Sequence, residues 1–385
     1  MQKIMTIFGT RPEGIKMAPV IQTLQQDQEL DCVCVNTAQH REMLDQVLAL
    51  FSITPDYDLN LMQAGQNVED LIGEMLIQLT AILQTEKPDM VLVHGDTSTT
   101  FIGAYAAFMQ KIPVGHVEAG LRTHNIYSPF PEEMNRQMVG RIASYHFAAT
   151  EKNKANLQKE ATADSNVYVV GNTVIDALLD ITSRKRRFNQ ELEQIFSTNK
   201  KTILLTTHRR ENLDELENVY LAINQLVEQH EDVQVVFPIH KNPVIRQKVQ
   251  HSFPESERVH FIEPLDYETF VHVMKESYLI ITDSGGIQEE APALGKPVLV
   301  ARKTTERQEG IEAGTLKLVG TSKSKIYEAC HHLLTDKQAY QTMAGKTNPF
   351  GTGATAKKIV RIIKAKLLEE SLSSNNSNYI SVLPK

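Results

Sequence analysis

Between His116 and Arg136 the chain reads HVEAGLRTHNIYSPFPEEMNR, which gathers Glu118, Glu132 and Glu133 with Arg122 and Arg136. Carboxylates in such a group can take up and return protons, and arginines can neutralise charge that develops in the same reaction. Glu118 follows the apolar run Lys111–Val117, which reads as a short buried strand. It is therefore expected at a strand's C-terminal end, where open α/β sheets take their ligands. Pro129 and Pro131 predict an extended loop, then a helix with Glu132 and Glu133 against its positive N-terminus. Four residues apart, Glu132 and Arg136 are expected to share a helix face, with Arg136 holding Glu132 in place. A solvated loop and a surface ion pair would use the same residues. What favours a site is that other polar clusters also fall at strand ends.

Gly9-Thr-Arg-Pro-Glu-Gly14 joins the first strand to the first helix and reads as a tight loop. Its backbone N–H groups are offered to an anion, with Arg11 and Lys16 close by. Gly95-Asp96-Thr97 ends a further strand. Thr282-Asp-Ser-Gly-Gly-Ile-Gln-Glu-Glu290 is the stronger anion signal, because Ser284, Gly285 and Gly286 lie between a buried strand and a helix. Two glycines without Cβ let phosphate oxygens approach the helix N-terminus, and Glu290, one turn on, can accept hydrogen bonds from a ribose diol. His208, Arg209 and Arg210 follow another strand, and Arg302 and Arg307 another. Singly, each is a glycine turn or a surface cation. Together they suggest an anionic ligand, since charge-assisted bonds to phosphate contribute about 1.5–3 kcal/mol each. His40, His240 and His260 show no metal-ligand spacing.

The elements that must position these groups alternate. In the first half, strands at Lys3–Phe8, Leu30–Asn36 and Met90–His94 are continuously apolar and separated by helical patterns, as in parallel strands covered on both faces. The alternation pauses near Gly171-Asn172-Thr173, a polar basic stretch follows at Arg184–Asn199, and the pattern then restarts, with a helix expected over Val244–Gln250. Two α/β halves facing across a cleft fit this better than one long sheet. We divide the chain at 1–172 and 173–368, the last helix being able to pack back on the first domain, with 369–385 a Ser/Asn-rich disordered tail.

At 385 residues, 41% hydrophobic and 23% charged, the composition is that of a globular protein with two full cores. No apolar run reaches membrane-spanning length, and the N-terminus enters a strand directly, without a secretory leader. Cys32, Cys34 and Cys330 form no framework, which places the chain in a reducing cytoplasm. A net charge of −7 speaks against a nucleic-acid partner.

The motifs FGTRPE, TAQHREMLDQVL, VLVHGDT, VGHVEAGLRT, PEEMNR, GNTVIDAL, HRREN, TDSGGIQEEAPALGKPVLV and TTER occur in order between about Lys3 and Leu368. Together they resemble the non-hydrolysing UDP-N-acetylglucosamine 2-epimerases. The resemblance implies two Rossmann-like domains similar to the B-type glycosyltransferases, a homodimer, and no added cofactor. It implies reversible conversion of UDP-N-acetylglucosamine to UDP-N-acetylmannosamine, supplying N-acetylmannosamine for cell-surface polysaccharide. It also implies that Arg11, Lys16, Asp96, Glu118, Glu132, Arg136 and His208 line the sugar or its phosphates. Ser284, Gly285, Gly286, Glu290 and Arg307 would hold UDP, and the loop with Leu265 and Phe270 would frame the uracil. Gln308 and Thr352 replace a proline and an aspartate common in the family. Some members bind a second substrate molecule through a glutamine and an arginine, where this chain has Glu42 and Gly65; hyperbolic kinetics are therefore expected here.

Chemistry narrows the route. The sugar's C2 hydrogen is not α to a carbonyl, so it must first be acidified. The missing G-x-G-x-x-G argues against one way, transient oxidation at C3 by a bound nicotinamide. Expulsion of UDP from C1 is the other, leaving an oxocarbenium-like centre that Asp96, Glu118 and Glu132 can stabilise and deprotonate. Re-addition of UDP to the 2-acetamidoglucal then inverts C2. A glycosyltransferase of the same fold, or a non-catalytic UDP-sugar sensor, would use the same nucleotide site.

Overall fold

Strands such as Met90–His94 and Leu279–Thr282 have no polar face, so they are stable only when helices cover both sides of their sheet. The computed structural model, which describes residues 1–39, 41–62, 67–207, 215–239, 246, 249 and 256–380, contains two such sheets. They belong to two compact units, Met1–Ala177 with Gly351–Lys385, and Leu178–Phe350.

In the first unit the strands are β1 (Gln2–Phe8), β2 (Leu30–Asn36), β3 (Tyr57–Asp58), β4 (Met90–His94), β5 (Val114–Ala119), β6 (Tyr145–Ala148) and β7 (Val167–Val169). All pair in parallel, in the order β3-β2-β1-β4-β5-β6-β7. Helices α1 (Arg11–Gln25), α2 (Arg41–Leu50), α3 (Val68–Glu86), α4 (Ser98–Met109) and α5 (Glu132–Ile142) connect them. Met5, Ile7, Val91 and Val93 from the central strands pack with Leu79 and Leu83 of α3 in one core. Successive strands step outward from β1 one way and, beginning with β4, the other way. The carboxyl ends of β1 and β4 therefore flank a topological switch point.

The second unit repeats this logic with β8 (Lys201–Thr206), β9 (Val233–Pro238), β10 (Val259–Ile262), β11 (Leu279–Thr282), β12 (Val298–Val300) and β13 (Leu316–Leu318). Their order is β10-β9-β8-β11-β12-β13, again all parallel. The switch point lies between β8 and β11, whose last residues, Thr206 and Thr282, are joined by a 2.6 Å hydroxyl–hydroxyl hydrogen bond.

The structure differs from the sequence reading in several places. α1 begins at Arg11, inside the stretch read as a tight loop, because Thr10 and Glu13 form a capping box with Pro12 in the first turn. The region between β5 and Gly171 adds two short strands, β6 and β7. The C-terminal helix, Thr355–Ile380, belongs to the first unit and runs through the Ser/Asn-rich stretch expected to be disordered. It buries Ile359, Val360, Ile363 and Leu367, and Lys364 pairs with Asp27 at 3.0 Å and Glu29 at 2.6 Å. Among the described residues, no helix is long and apolar enough to cross a membrane.

Candidate functional site

The β1–α1 turn is closed by its own glutamate. Glu13 Oε2 accepts from the backbone N–H groups of Gly9 and Thr10 at 3.0 and 2.8 Å. Its other oxygen accepts from the hydroxyls of Thr97 and Thr100 at 2.6 and 3.0 Å. Two donors that the sequence offered to an anion are thus used internally, and the buried Glu13 ties the loops after β1 and β4 together across the switch point. Gly9 is required by space, since a Cβ there would stand 1.9 Å from Thr37 Oγ1. Arg11 opens α1, and Lys16 lies one turn on.

Glu118 occupies a bulge. The β5–β6 register slips between Val117 and Ala119, and Glu118 takes φ +62, a conformation that a residue with a side chain adopts only under constraint. The bulge delivers its carboxylate to three partners. Lys16 Nζ forms an ion pair with it, Asn172 Nδ2 donates at 2.8 Å, and His94 Nε2 stands 3.6 Å away. Burial pushes the Glu118 carboxyl up, but Lys16 and His94 outweigh that and hold it well below the usual carboxylate range. It is an ionised carboxylate at neutral pH.

The flanking turns are rigidly held. His116 is fully buried, 2.7 Å from the Gly95 carbonyl, and burial lowers its pKa to about 3. The ring is therefore neutral and donates Nε2–H to that carbonyl. Beyond Glu118, Gly120 has φ +88, and a Cβ there would lie 2.3 Å from the Asn153 carbonyl oxygen. Arg122 then clamps Glu160 through Nε and Nη2 at 2.7 and 2.8 Å.

Asp96 follows β4, and α5 reaches it with two side chains. Arg136 Nη2 meets Asp96 Oδ2 at 2.5 Å, and Asn135 Nδ2 donates to the Asp96 carbonyl at 2.9 Å. The other arm of Arg136 goes to Glu133 at 2.9 Å, not to Glu132 as helix spacing suggested. Glu133 is fully buried, whereas among the described residues Glu132 Oε2 is buried without a hydrogen-bond partner. The neighbouring acids differ because Glu133 points back onto the loop at Thr123 and His124, which saturates it.

In the second unit, Ser284 caps the helix Gly285–Glu290 after β11, and its backbone N–H donates to Thr282 Oγ1 at 2.9 Å. A Cβ on Gly285 would stand 3.2 Å from the guanidinium carbon of Arg307, so glycine lets that side chain lie against the helix start. Arg307 Nε bonds Glu289 Oε1 at 2.8 Å. Gly286 faces Glu290, whose Oε2 would lie 3.7 Å from a Cβ there. Tyr267 donates its hydroxyl to Glu290 Oε1 at 2.8 Å, which links this helix to the start of the helix Tyr267–Glu276. Phe270 lies in that helix and not in one loop with Leu265, which precedes it. Arg302 is bonded to Glu306 at 2.9 and 3.2 Å.

His208, Arg209 and Arg210 lie outside the described residues, as do His40, Gly65, His240, the side chain of Glu42 and most of the helix expected over 244–250. Residues to which sequence reasoning gave no part in the site are Glu13, His94, Asn172 and Tyr267, and Glu133 was placed only at a helix N-terminus. Only Glu13 carried a local signal, the Thr-x-x-Glu capping pattern.

Comparison with known proteins follows the same lines. A family model described as UDP-N-acetylglucosamine 2-epimerase matches residues 22–364. The UDP-N-acetylglucosamine 2-epimerase of Bacillus subtilis (strain 168) is 53% identical over 359 residues, 93% of this chain and 94% of that one. The UDP-GlcNAc 2-epimerase of Neisseria meningitidis, solved bound to UDP-GlcNAc, has a TM-score of 0.85 at 47% identity, covering 94% of this chain and 100% of that one. An S. aureus protein solved with UDP has a TM-score of 0.84 at 49% identity, covering 95% and 97%.

Proposed function

The chain belongs to the UDP-N-acetylglucosamine 2-epimerase family, and from that premise we propose that it interconverts UDP-N-acetylglucosamine and UDP-N-acetylmannosamine. The reaction is an elimination followed by re-addition. As the C1–O bond breaks, its electron pair leaves with UDP, and positive charge spreads over C1 and the ring oxygen. A carboxylate then takes the acidified C2 proton, giving 2-acetamidoglucal and UDP. A proton returned to the opposite face of C2, with the diphosphate oxygen re-forming its bond to C1, completes the inversion.

The observation that carries this reading is the pair Asp96 and Glu118 beside the first switch point, with Glu132 at the start of α5. Glu118 is an ionised carboxylate aimed by a bulge, Asp96 is fixed by Arg136, and Glu132 keeps a buried oxygen uncommitted among the described residues. These suit proton transfer and stabilisation of the oxocarbenium-like centre. Arg11, Lys16 and His208 serve the sugar phosphates. Ser284, Gly285, Gly286, Glu290 and Arg307 hold UDP, with Leu265 and Phe270 at the uracil. The relatives solved with UDP-GlcNAc and with UDP support the ligand class.

We also place the chain in the cytoplasm as a homodimer, its product serving cell-surface polysaccharide. The free cysteines Cys32, Cys34 and Cys330 suit a reducing compartment. Exposed Ile77 on α3 and Phe108 and Met109 on α4 suit an interface between copies. Proton NMR of the protein with UDP-N-acetylglucosamine in deuterated water tests the chemistry. UDP-N-acetylmannosamine should appear with deuterium at C2. Full retention of protium would overturn the elimination route, and consumption only with an added acceptor would identify a glycosyltransferase.

A further inference from the structure

We infer that Glu133 is a positioning residue for the reaction, fixing Asp96 through Arg136; this rests on the epimerase reading above. Four donors converge on its two oxygens. Oε2 accepts from the Thr123 backbone N–H at 3.0 Å and from Arg136 Nη1 at 2.9 Å. Oε1 accepts from the His124 backbone N–H at 3.2 Å and from Gln137 Nε2 at 3.2 Å. The carboxylate is completely shielded from solvent, yet these donors, with Arg136 also attracting it electrostatically, outweigh burial and keep its pKa below the ordinary glutamate value. It is an anion at neutral pH, and each of its two oxygens already accepts two hydrogen bonds.

Its place in the sequence gives this anion leverage. One arm of Arg136 rests on Glu133, and the other reaches Asp96 Oδ2. An arginine side chain has many rotamers, and anchoring one arm of its planar fork restricts the other. Glu133 also binds the loop following Glu118 to the start of α5, the helix that carries Glu132. The backbone contacts to Thr123 and His124 hold Glu133 itself in place, and its reach to an acid runs through Arg136 to Asp96. Glu132 and Glu133, adjacent and chemically identical, divide the work: one oxygen of Glu132 stays uncommitted among the described residues, and Glu133 is fully spent on geometry.

Glu133→Gln is the informative change. An amide offers one acceptor oxygen, so its NH2 must face two of the four donors and Arg136 loses its anionic anchor. With wild-type turnover of UDP-N-acetylglucosamine established first, we expect kcat to fall about 10²-fold, as for small misplacements of catalytic groups, while KM changes little. UDP affinity by calorimetry should stay within about twofold. The deciding measurement is a double-mutant cycle with Asp96→Asn. If Glu133 acts by placing Asp96, adding Glu133→Gln to Asp96→Asn should lower kcat by no more than about twofold further. Independent, multiplying losses would overturn the proposal, as would a wild-type kcat in Glu133→Gln. Should Glu133→Gln fail to fold, Arg136→Lys carries the same cycle, because an ammonium lacks the fork that spans both carboxylates. A wild-type kcat there would equally overturn the proposal. A wild-type protein that turns over no UDP-N-acetylglucosamine would instead refute the epimerase reading itself.

Discussion

Lys16 on α1 and Glu118 on β5, separated by 102 residues in sequence, meet as an ion pair beneath the first switch point. Burial alone would drive the carboxyl toward its neutral form, and the pair reverses that preference. In the folded state the Glu118 pKa is depressed, so its contribution to stability is present above the ordinary carboxylate pKa and is lost as pH falls through the depressed value. Replacing Lys16 by Met leaves burial opposed mainly by His94. The Glu118 pKa should rise, and the acid limb of kcat/KM should move to higher pH. Coincident limbs in wild type and Lys16→Met would show that Glu118 is not the group titrating there.

The three acids should be separable from nucleotide binding. Asp96→Asn, Glu118→Gln and Glu132→Gln are each expected to slow epimerisation by about 10²–10⁴-fold, the usual contribution of a positioned acid or base. Calorimetric UDP affinity should survive in all three, since UDP is assigned to the second unit. An acid whose amide variant keeps wild-type kcat has no part in the chemistry.

The nucleotide side makes the opposite prediction. Ser284→Ala and Glu290→Ala each remove a hydrogen-bonding partner, and Gly285→Ala places a methyl 3.2 Å from the Arg307 guanidinium carbon. Each should weaken UDP binding by about tenfold or more, given about 1.5–3 kcal/mol for a charge-assisted bond. Unchanged UDP affinity in all three would refute this placement.

Acid should loosen the first unit through its histidines. Burial holds His116 neutral down to about 3 and His146 to about 4. An unfolded histidine takes up its proton near pH ~6.5. Below that pH the unfolded chain binds protons that the native state refuses, so stability should fall steadily from about pH 6.5 toward pH 4. Thermal unfolding of wild type and His146→Gln across this interval should show a shallower slope in the variant. Parallel slopes would assign the acid sensitivity elsewhere.

What was legible in the sequence follows from how local each signal was. The position of Glu118 could be read because an uninterrupted apolar run ends beside it. The bulge that aims it could not, since a register slip against Phe147 and Ala148 depends on a neighbouring strand. β6 and β7 were missed because Tyr145–Ala148 and Val167–Val169 are only four and three residues long, too short for a pattern. Helix spacing matched Arg136 to Glu132. It failed because the three-residue alternative, Glu133, was already oriented by backbone groups of Thr123 and His124, a contact that no helical periodicity encodes. The parallel architecture and the glycine turn after β11 rest on local pattern, and both were readable.

The return of the C-terminal helix to the first unit matters for the order in which the protein can be made. A ribosome finishes β1 to β7 long before Thr355 emerges, and the whole of Leu178–Phe350 is synthesised in between. Until then the side of α1 against which the C-terminal helix packs stays uncovered, and Asp27 and Glu29 lack Lys364. Before residues 355–367 have been translated, the first unit lacks the helix that packs on this side of α1. Completion of the first unit is in this way made contingent on translation past Leu367, and a chain terminated at Phe350 would carry Asp96, Glu118 and Glu132 on an unfinished body.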